Sequence, residues 1–486
     1  MPPLNYLSLI APRAVLLAGG KAFSSPSLEK AAMRDLTQGP VMSTLISLAV
    51  PTAFGMLFQT LYLLVDLYFV AGLGEAAMAG VGAASTVMFM VMALTQVLGV
   101  STVALMAQAV GRKEQGEANR VFNQSLLIAV FMAALTLLLG HGLADVYMRG
   151  IAADAASSAQ GARFLHAFIP GMALQFALIG MASALRATGI VKPGMVVQIL
   201  TVLLNTALAP VLIVGWGPVP ALGVVGAGLA STLSVCAGLL MLLFYFIKLE
   251  KYVRFDFSRW KPDYAVWKQM LVIGLPAGGE MLLMFLYFGL VYVLIQKFGA
   301  AAQAGFSVGG RIMQAVMLPT MAIAFSIGPM VGQNVGAQRG DRVREICRKG
   351  LWFSAGVMLV VTLFLQINPT LLVAGFTQDA QVLEVGGDFL QLVSLNFVAQ
   401  GIVFGCSGMF QGLGNTRPAL LSSACRLGVF VMVAFVVASR ENFAVHDVWY
   451  VSVLSVWCQA FFSLYLIRRE LNHKLGRTRQ AQTLAV

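Results

Sequence analysis

The amino-acid sequence predicts an all-α integral membrane protein with twelve transmembrane helices in two six-helix lobes, related by an internal parallel repeat. Three observations support this fold class. The composition is 59% hydrophobic and only 11% charged, apolar stretches of about 20 residues recur between short polar breaks, and the second half of the chain repeats the first. Water-soluble globular domains carry roughly 25% charged residues, so the composition excludes a soluble protein.

The predicted spans fall into two groups of six. An N-terminal lobe occupies 41–247 and a C-terminal lobe 269–467, joined by a basic linker at 248–268, with tails at 1–40 and 468–486. The twelve spans lie near 45–71, 80–109, 121–146, 164–185, 195–216, 222–247, 269–296, 305–335, 350–374, 388–411, 419–438 and 447–467.

The net charge of +12 is explained by topology. With a cytoplasmic N-terminus, the inside segments hold most Lys and Arg residues, and the outside loops hold only Arg149, Arg163, Lys297 and Arg440. This asymmetry predicts that both termini and the linker are cytoplasmic, in the cell inner (plasma) membrane. Nucleic acid is therefore not an expected partner.

An internal repeat with a constant offset gives the architecture. It aligns Pro51 with Pro276, and the same register continues through loops, pairing Gln108 with Gln333. Each repeat contains six spans, so both halves enter the membrane from the same side. Such two-lobed designs place a substrate path between the lobes and work by rocking one lobe against the other.

Several motifs resemble the multidrug and toxic compound extrusion (MATE) family over residues 40–470. They are Pro51 with Asp66 in the first span, the segment 331–337 (VGQNVGA), and Asn205 followed by Pro210. The turns 186–193 and 414–418 and the segment 309–312 are more similar to the DinF-like than to the NorM-like branch. The resemblance implies export of mostly cationic, amphiphilic compounds in exchange for protons or sodium ions.

Asp66 is the first candidate for ion coupling, since the coupling aspartate of the MATE family occupies this place. It follows Pro51, a hinge candidate that removes a helix hydrogen bond. Inserting a carboxylate into the membrane costs about 2.5–3.5 kcal/mol or more of free energy. Such a residue therefore usually faces a cavity and has a function. Asp66 can accept a proton from outside and release it inside; alternatively, it is a solvated residue near the outer helix end.

Glu280 is the second candidate, four residues after the hinge candidate Pro276. In the repeat it corresponds to a position eleven residues before Asp66, a depth difference of roughly 16 Å. The two acids are therefore expected to act separately, one in each lobe, with Glu280 binding substrate or a second ion. The alternative is a structural glutamate paired with Arg311 or with the backbone.

Candidates for a polar or adaptable cavity surround these acids. Amides can contact Asp66, substrate or neighbouring helices, and methionine repacks easily around different ligands. The cavity candidates are Asn205, Gln175, Gln400, Tyr62, Tyr287, Met56 and Met281.

Two departures from the family pattern bear on the coupling ion. Ala209 stands where MATE proteins often have an aspartate, and Gln400 where the NorM-like branch carries an acid. Both losses remove oxygen ligands that sodium would use, so protons are favoured, although sodium near Asp66 stays open. No cofactor and no metal site are predicted, because the five cysteines lack metal-ligand spacing.

Three rival functions fit the sequence less well than export. A lipid-linked precursor flippase needs several cavity cations, but only Arg311 and Arg426 fall inside predicted spans. A membrane-embedded enzyme needs a catalytic set that is not visible in the sequence. A receptor or scaffold gives no reason for duplicated halves and buried acids. We expect a monomer whose partners are small-molecule substrates and membrane lipids, and no enzyme activity.

Fusions at the C-terminus test the predicted orientation. Green fluorescent protein fused after Val486 is expected to fluoresce, and alkaline phosphatase at the same place is expected to be inactive, because the tail stays inside. Cell fluorescence and phosphatase activity are the measurements. Active phosphatase with dark fluorescent protein would contradict the orientation.

Overall fold

The computed structural model describes residues 34–216, 220–376 and 379–484, and within these the side chains other than those of 62–67 and 476–484. The predicted N-terminal tail up to residue 33 lies outside the described residues. The described part forms fourteen α-helices: α1 Val41–Ala71, α2 Glu75–Gly111, α3 Gln115–Ile151, α4 Ala155–Ala187, α5 Lys192–Val214, α6 Val224–Lys248, α7 Tyr264–Ile295, α8 Ala300–Gly336, α9 Gly340–Ile367, α10 Pro369–Ala374, α11 Ala380–Val393, α12 Asn396–Leu413, α13 Arg417–Ala438 and α14 Val445–Leu484.

The helices account for the predicted twelve crossings. Within the described part, eleven helices are long and apolar enough to span a membrane. The pair α11 and α12 passes the same test together, with a bend of 54° at the break between them, and brings the number to twelve if the pair is counted as one span. Helices prevail because lipid offers no hydrogen-bond partners, so each spanning segment must satisfy its own backbone. The predicted all-α membrane fold is confirmed.

The internal repeat holds in three dimensions. Helices α2 and α8 begin and end at positions that the repeat pairs, and so do the starts of α5 and α13. Even unusual backbone conformations repeat, since Lys113 and Gln338 both have positive φ, at 61° and 55°. The helix caps repeat too: Asp154 accepts a hydrogen bond from the Ser157 amide, and Asp379 caps α11 in the same way. Local sequence signals therefore fold each half alike.

Apolar packing gives each lobe a core of its own. In the N-lobe, buried side chains of α3, α4 and α6 surround Phe122 and Phe176. In the C-lobe, Phe389, Phe430 and Trp449 form a separate core. A third cluster joins the lobes, where Leu45 and its neighbours in the first half of α1 pack against the last half of α8. We call the helix ends nearest residues 249–263 the linker end, and this third cluster lies there.

The segment 249–263 between α6 and α7, which we call the strap, is hydrogen-bonded to the start of α3 in the N-lobe. Gln124, only 2% exposed, makes four hydrogen bonds to the segment and to the start of α7. Its amide nitrogen donates to the carbonyls of Arg259 and Lys261, and its oxygen accepts from the Asp263 amide and from Trp267 Nε1. The entry to α7 is therefore fixed to the N-lobe, although α7 itself begins the second repeat.

An ion pair reinforces the strap. Arg120 donates two hydrogen bonds to Asp263, one from Nε at 2.8 Å and one from Nη2. These bonds hold the pKa of the Asp263 carboxyl below its ordinary value of 3.8. Asp263 also caps α7 by accepting from the amides of Ala265 and Val266. The Asp263 carboxyl is therefore ionised near neutral pH and pairs with the Arg120 guanidinium there.

Replacing Gln124 by Ala should lower the thermal stability of the protein. The change removes four partly buried hydrogen bonds to the strap and the start of α7, and each is worth about 0.5–1.5 kcal/mol. Circular dichroism in detergent micelles measures the unfolding temperature. Gln115→Ala is the matched control, because Gln115 lies on the same surface but donates one exposed bond to the Tyr252 carbonyl. Equal unfolding temperatures for both variants would refute the role of Gln124.

Candidate functional site

Two glutamines join the lobes at the linker end. Gln108 of α2 donates from Nε2 to the Gly412 carbonyl of α12 at 3.0 Å. Gln333 of α8 donates from Nε2 to the Ala187 carbonyl of α4 at 2.8 Å. The repeat pairs the two donors with each other and the two acceptors with each other, so the two bonds are equivalent. We call this contact the seam.

Glycine at the end of α2 and of α8 makes the seam possible. A Cβ at Gly111 would lie 2.0 Å from the Gln333 carbonyl oxygen, and one at Gly336 would lie 2.1 Å from the Gln108 carbonyl oxygen. Since such distances are far below van der Waals contact, any larger side chain would push the lobes apart. The seam therefore depends on direct contact between the backbones of α2 and α8.

Residues just before α1 form hydrogen bonds with the C-lobe beside the seam. The Leu36 amide donates to Gln333 Oε1 at 2.9 Å, and Asn334 Nδ2 donates to the Leu36 carbonyl at 3.2 Å. Arg339 Nη1 donates to the Thr37 carbonyl at 2.8 Å. The hydrogen bonds between the lobes are thus concentrated at the linker end. Further out, α2 and α7 stay in contact as far as Phe89 and Phe285, whose ring centroids are 4.8 Å apart.

Glu280 lies on α7 within this stretch, five residues before Phe285. It is half-buried, and its Oε2 accepts a hydrogen bond from Ser407 Oγ of α12 at 2.9 Å. Among the described side chains, no ion pair joins Glu280 to Arg311, which is exposed on α8. The structure therefore gives Glu280 a single neutral hydrogen-bond donor from the protein and leaves its charge unmatched by a described cation.

Asp66 and Tyr62 lie within α1, but their side chains are outside the described set. Their sequence-based assignments stay predictions. Pro51 and Pro276 lie inside α1 and α7, and both helices run through them without a break. The hinge assignments also stay predictions.

The amide candidates occupy different environments. Asn205 is fully buried and donates to Ser231 Oγ at 3.3 Å, which links α5 to α6 within the N-lobe. Gln175 on α4 and Gln400 on α12 are half-buried. Asn205 thus joins neighbouring helices, and the two glutamines keep part of their surface accessible.

Tyr287 lies in the C-lobe core instead of on a cavity wall. It is 5% exposed, and its hydroxyl donates to Ser452 Oγ at 2.6 Å. The guanidinium of Arg426 sits 4.0 Å from the centre of its ring, a cation–π contact that places this charge inside the lobe. Met56 and Met281 are half-buried and remain open to a cavity role.

The structure adds two residues that were not singled out from the sequence. Ser407 is the partner of Glu280, but an isolated serine in an apolar span gives no signal by itself. Arg186 near the end of α4 donates to Ser183 Oγ at 2.8 Å, and its guanidinium lies 5.4 Å from the ring of Phe325 across the lobe boundary. Its position inside the conspicuous turn motif was the available signal.

No group of three or more His, Cys, Asp or Glu side chains suited to a metal ion occurs in the described part of the chain. The five cysteines are free thiols. A sodium site near Asp66 stays a prediction, since that side chain is outside the described set.

Two repeated lobes of membrane-spanning helices, joined end to end by a symmetric seam, define a membrane transporter of the two-lobed class. The chain belongs to the MatE family, which matches residues 51–211 and 276–436, one block in each lobe. The predicted family is confirmed, and the protein is not an enzyme. The DinF-like assignment stays a prediction.

Known relatives match most of the chain. The probable multidrug resistance protein YoeA of Bacillus subtilis is 26% identical over 384 residues, 78% of this chain and 82% of YoeA. The multidrug export protein MepA of Staphylococcus aureus is 25% identical over 442 residues, 89% of this chain and 96% of MepA. A MOP superfamily transporter from Pyrococcus furiosus has the same fold, with a TM-score of 0.85 at 23% identity, covering 90% of this chain and 98% of that chain.

Gly111→Val should open the seam, because the added side chain cannot fit against the Gln333 carbonyl. Spin labels at Glu114→Cys and Asp341→Cys, in a background without native cysteines, report the separation of the lobes at the linker end. We expect a longer and broader distance distribution than in the unsubstituted background.

Gly116→Val is the matched control, because nothing lies within 4 Å of a Cβ at Gly116. An unchanged distance distribution in Gly111→Val would show that the seam does not depend on this close approach.

Proposed function

We propose that the protein is a secondary active antiporter that exports amphiphilic, mostly cationic organic compounds in exchange for protons or sodium ions. The observation that carries this proposal is Glu280, a half-buried carboxylate without a described counter-ion, on the helix that lines the boundary between the lobes. A membrane carboxylate in this state attracts a cation or a proton. The names of the relatives YoeA and MepA support drug-like cargo.

The proposed cycle uses one acid in each lobe. Asp66 takes up the coupling ion on the outer side, and its neutralisation releases the cationic substrate there. Glu280 supplies a second negative charge for substrate or for a further ion. The seam closes the linker end, which we assign to the cytoplasm, and its opening admits the next substrate by alternating access. The missing acid at Ala209 favours protons over sodium.

The lipid-linked flippase is the second candidate, since it would share the fold. Such a substrate carries phosphate and needs accessible cations. Arg426 and Arg186 lie inside the helical lobes, but each is placed against an aromatic ring, Tyr287 and Phe325 respectively. This arrangement favours export of cations over binding of pyrophosphate.

Ethidium efflux from vesicles tests the coupling residue. Purified protein is reconstituted, and dye movement is followed under an imposed proton or sodium gradient. Asp66→Asn should reduce gradient-driven efflux to the leak of protein-free vesicles, because a neutral amide cannot exchange a proton. Glu75→Gln is the control, since Glu75 is an exposed acid in the first turn of α2.

Two other outcomes would change the assignment. Normal efflux by Asp66→Asn would transfer the coupling role to Glu280, to be tested with Glu280→Gln. No dye movement by the native protein under either gradient would contradict the proposed function, and lipid-linked substrates would then be tested.

A further inference from the structure

A groove of about 460 Å³ follows the first half of α7. Arg417 of α13 lines it, and so does Trp267, which also contacts α3 of the N-lobe. Its polar end holds Lys268 and Arg417, and its apolar wall is formed by Leu271, Val272 and Leu275. The lining residues of α7 run from Tyr264 to Pro276, which is roughly 18 Å along a helix. That length is about the depth of one leaflet of a bilayer.

The two cations of the groove are uncompensated. Lys268 and Arg417 are exposed, and neither forms an ion pair or a side-chain hydrogen bond with another described residue. They come from two helices that both begin at the linker end, α7 and α13. The groove thus has two unpaired positive charges at its end near the membrane surface and an apolar wall that extends into the membrane.

An aromatic side chain fixes the shape of this groove. Trp267 is held by its Nε1 donation to Gln124 at 2.8 Å, and Tyr264 packs against it with 6.2 Å between ring centroids. Tryptophan and tyrosine favour the headgroup level of a membrane, where one edge is polar and the other apolar. The aromatic side of the groove is therefore preformed and does not depend on a bound ligand.

The internal repeat shows that these features belong to the C-lobe alone. At the equivalent places in the first repeat, the N-lobe has Met42 for Trp267 and Ser43 for Lys268. Only the second cation has a counterpart there, Lys192 for Arg417. The two lobes share a backbone plan, so the fold itself does not require a basic, aromatic groove.

We propose that this groove binds an anionic phospholipid from the leaflet at the linker end. Lys268 and Arg417 hold the phosphate, and one acyl chain lies along Leu271, Val272 and Leu275. Charge complementarity selects an anionic over a zwitterionic lipid, because two positive charges face a net negative headgroup. The proposal is independent of the cargo and of the coupling ion.

Native mass spectrometry of the full-length protein in detergent micelles tests the site. Phosphatidylglycerol and phosphatidylcholine are titrated separately, and binding of the first lipid is quantified. The native protein should bind phosphatidylglycerol more tightly. Lys268→Ala with Arg417→Ala should weaken this binding about 25-fold, or roughly fivefold for each lost cation. Lys192→Ala, the matched change in the N-lobe, should leave the affinity unchanged.

A second double variant, Lys268→Gln with Arg417→Gln, removes the charges and keeps polar side chains of similar shape. Circular dichroism and a single elution peak establish that each variant is folded. Equal phosphatidylglycerol affinity in the native protein and both double variants would overturn the proposal. So would equal weakening by Lys192→Ala, or full displacement of the lipid by inorganic phosphate, which would indicate an ion site instead of a lipid site.

Discussion

Backbone contact at the seam is the constraint on which the arrangement of the lobes depends. Gly111 and Gly336 bring the ends of α2 and α8 against the carbonyls of Gln333 and Gln108. The same two glutamines then bond to the opposite lobe. Because the contact is symmetric, each lobe supplies the same donor and the same small residue. Each lobe has an apolar core of its own, and a small cluster of Val100, Ala104, Ile273 and Ala277 continues the contact between α2 and α7.

Polar side chains in the membrane are mostly used within one lobe. Asn205 bonds to Ser231, and Tyr287 bonds to Ser452 beneath Arg426. Bonds of this kind offset the cost of removing polar groups from water and tie neighbouring helices together. Glu280 departs from this pattern, since its one described partner is neutral. In the proposed function, this acid binds a mobile cation or proton.

Helix α7 connects these features. Its start is bonded to the N-lobe through Trp267 and Gln124, and a Cβ at Gly274 would lie 2.3 Å from the Val97 carbonyl oxygen of α2. Its later part belongs to the C-lobe and carries Glu280. Pro276, the predicted hinge, follows Gly274 by two residues, and the contact with α2 continues as far as Phe285. The proposed lipid site borders this same stretch, along the face of α7 that carries Leu271, Val272 and Leu275.

The sequence by itself determined the helical membrane fold, the twelve crossings, the repeat and the family. The fold follows from hydropathy, segment length and the constant register between the two halves. Lipid offers no hydrogen-bond partners, so apolar segments that cross the membrane must form helices. Only the tertiary structure decided that Tyr287 is a core residue, that Ser407 contacts Glu280, and that the linker is strapped to α3. Such contacts join residues far apart in the chain, and side-chain direction on an almost uniformly apolar helix leaves no periodic signal in the sequence.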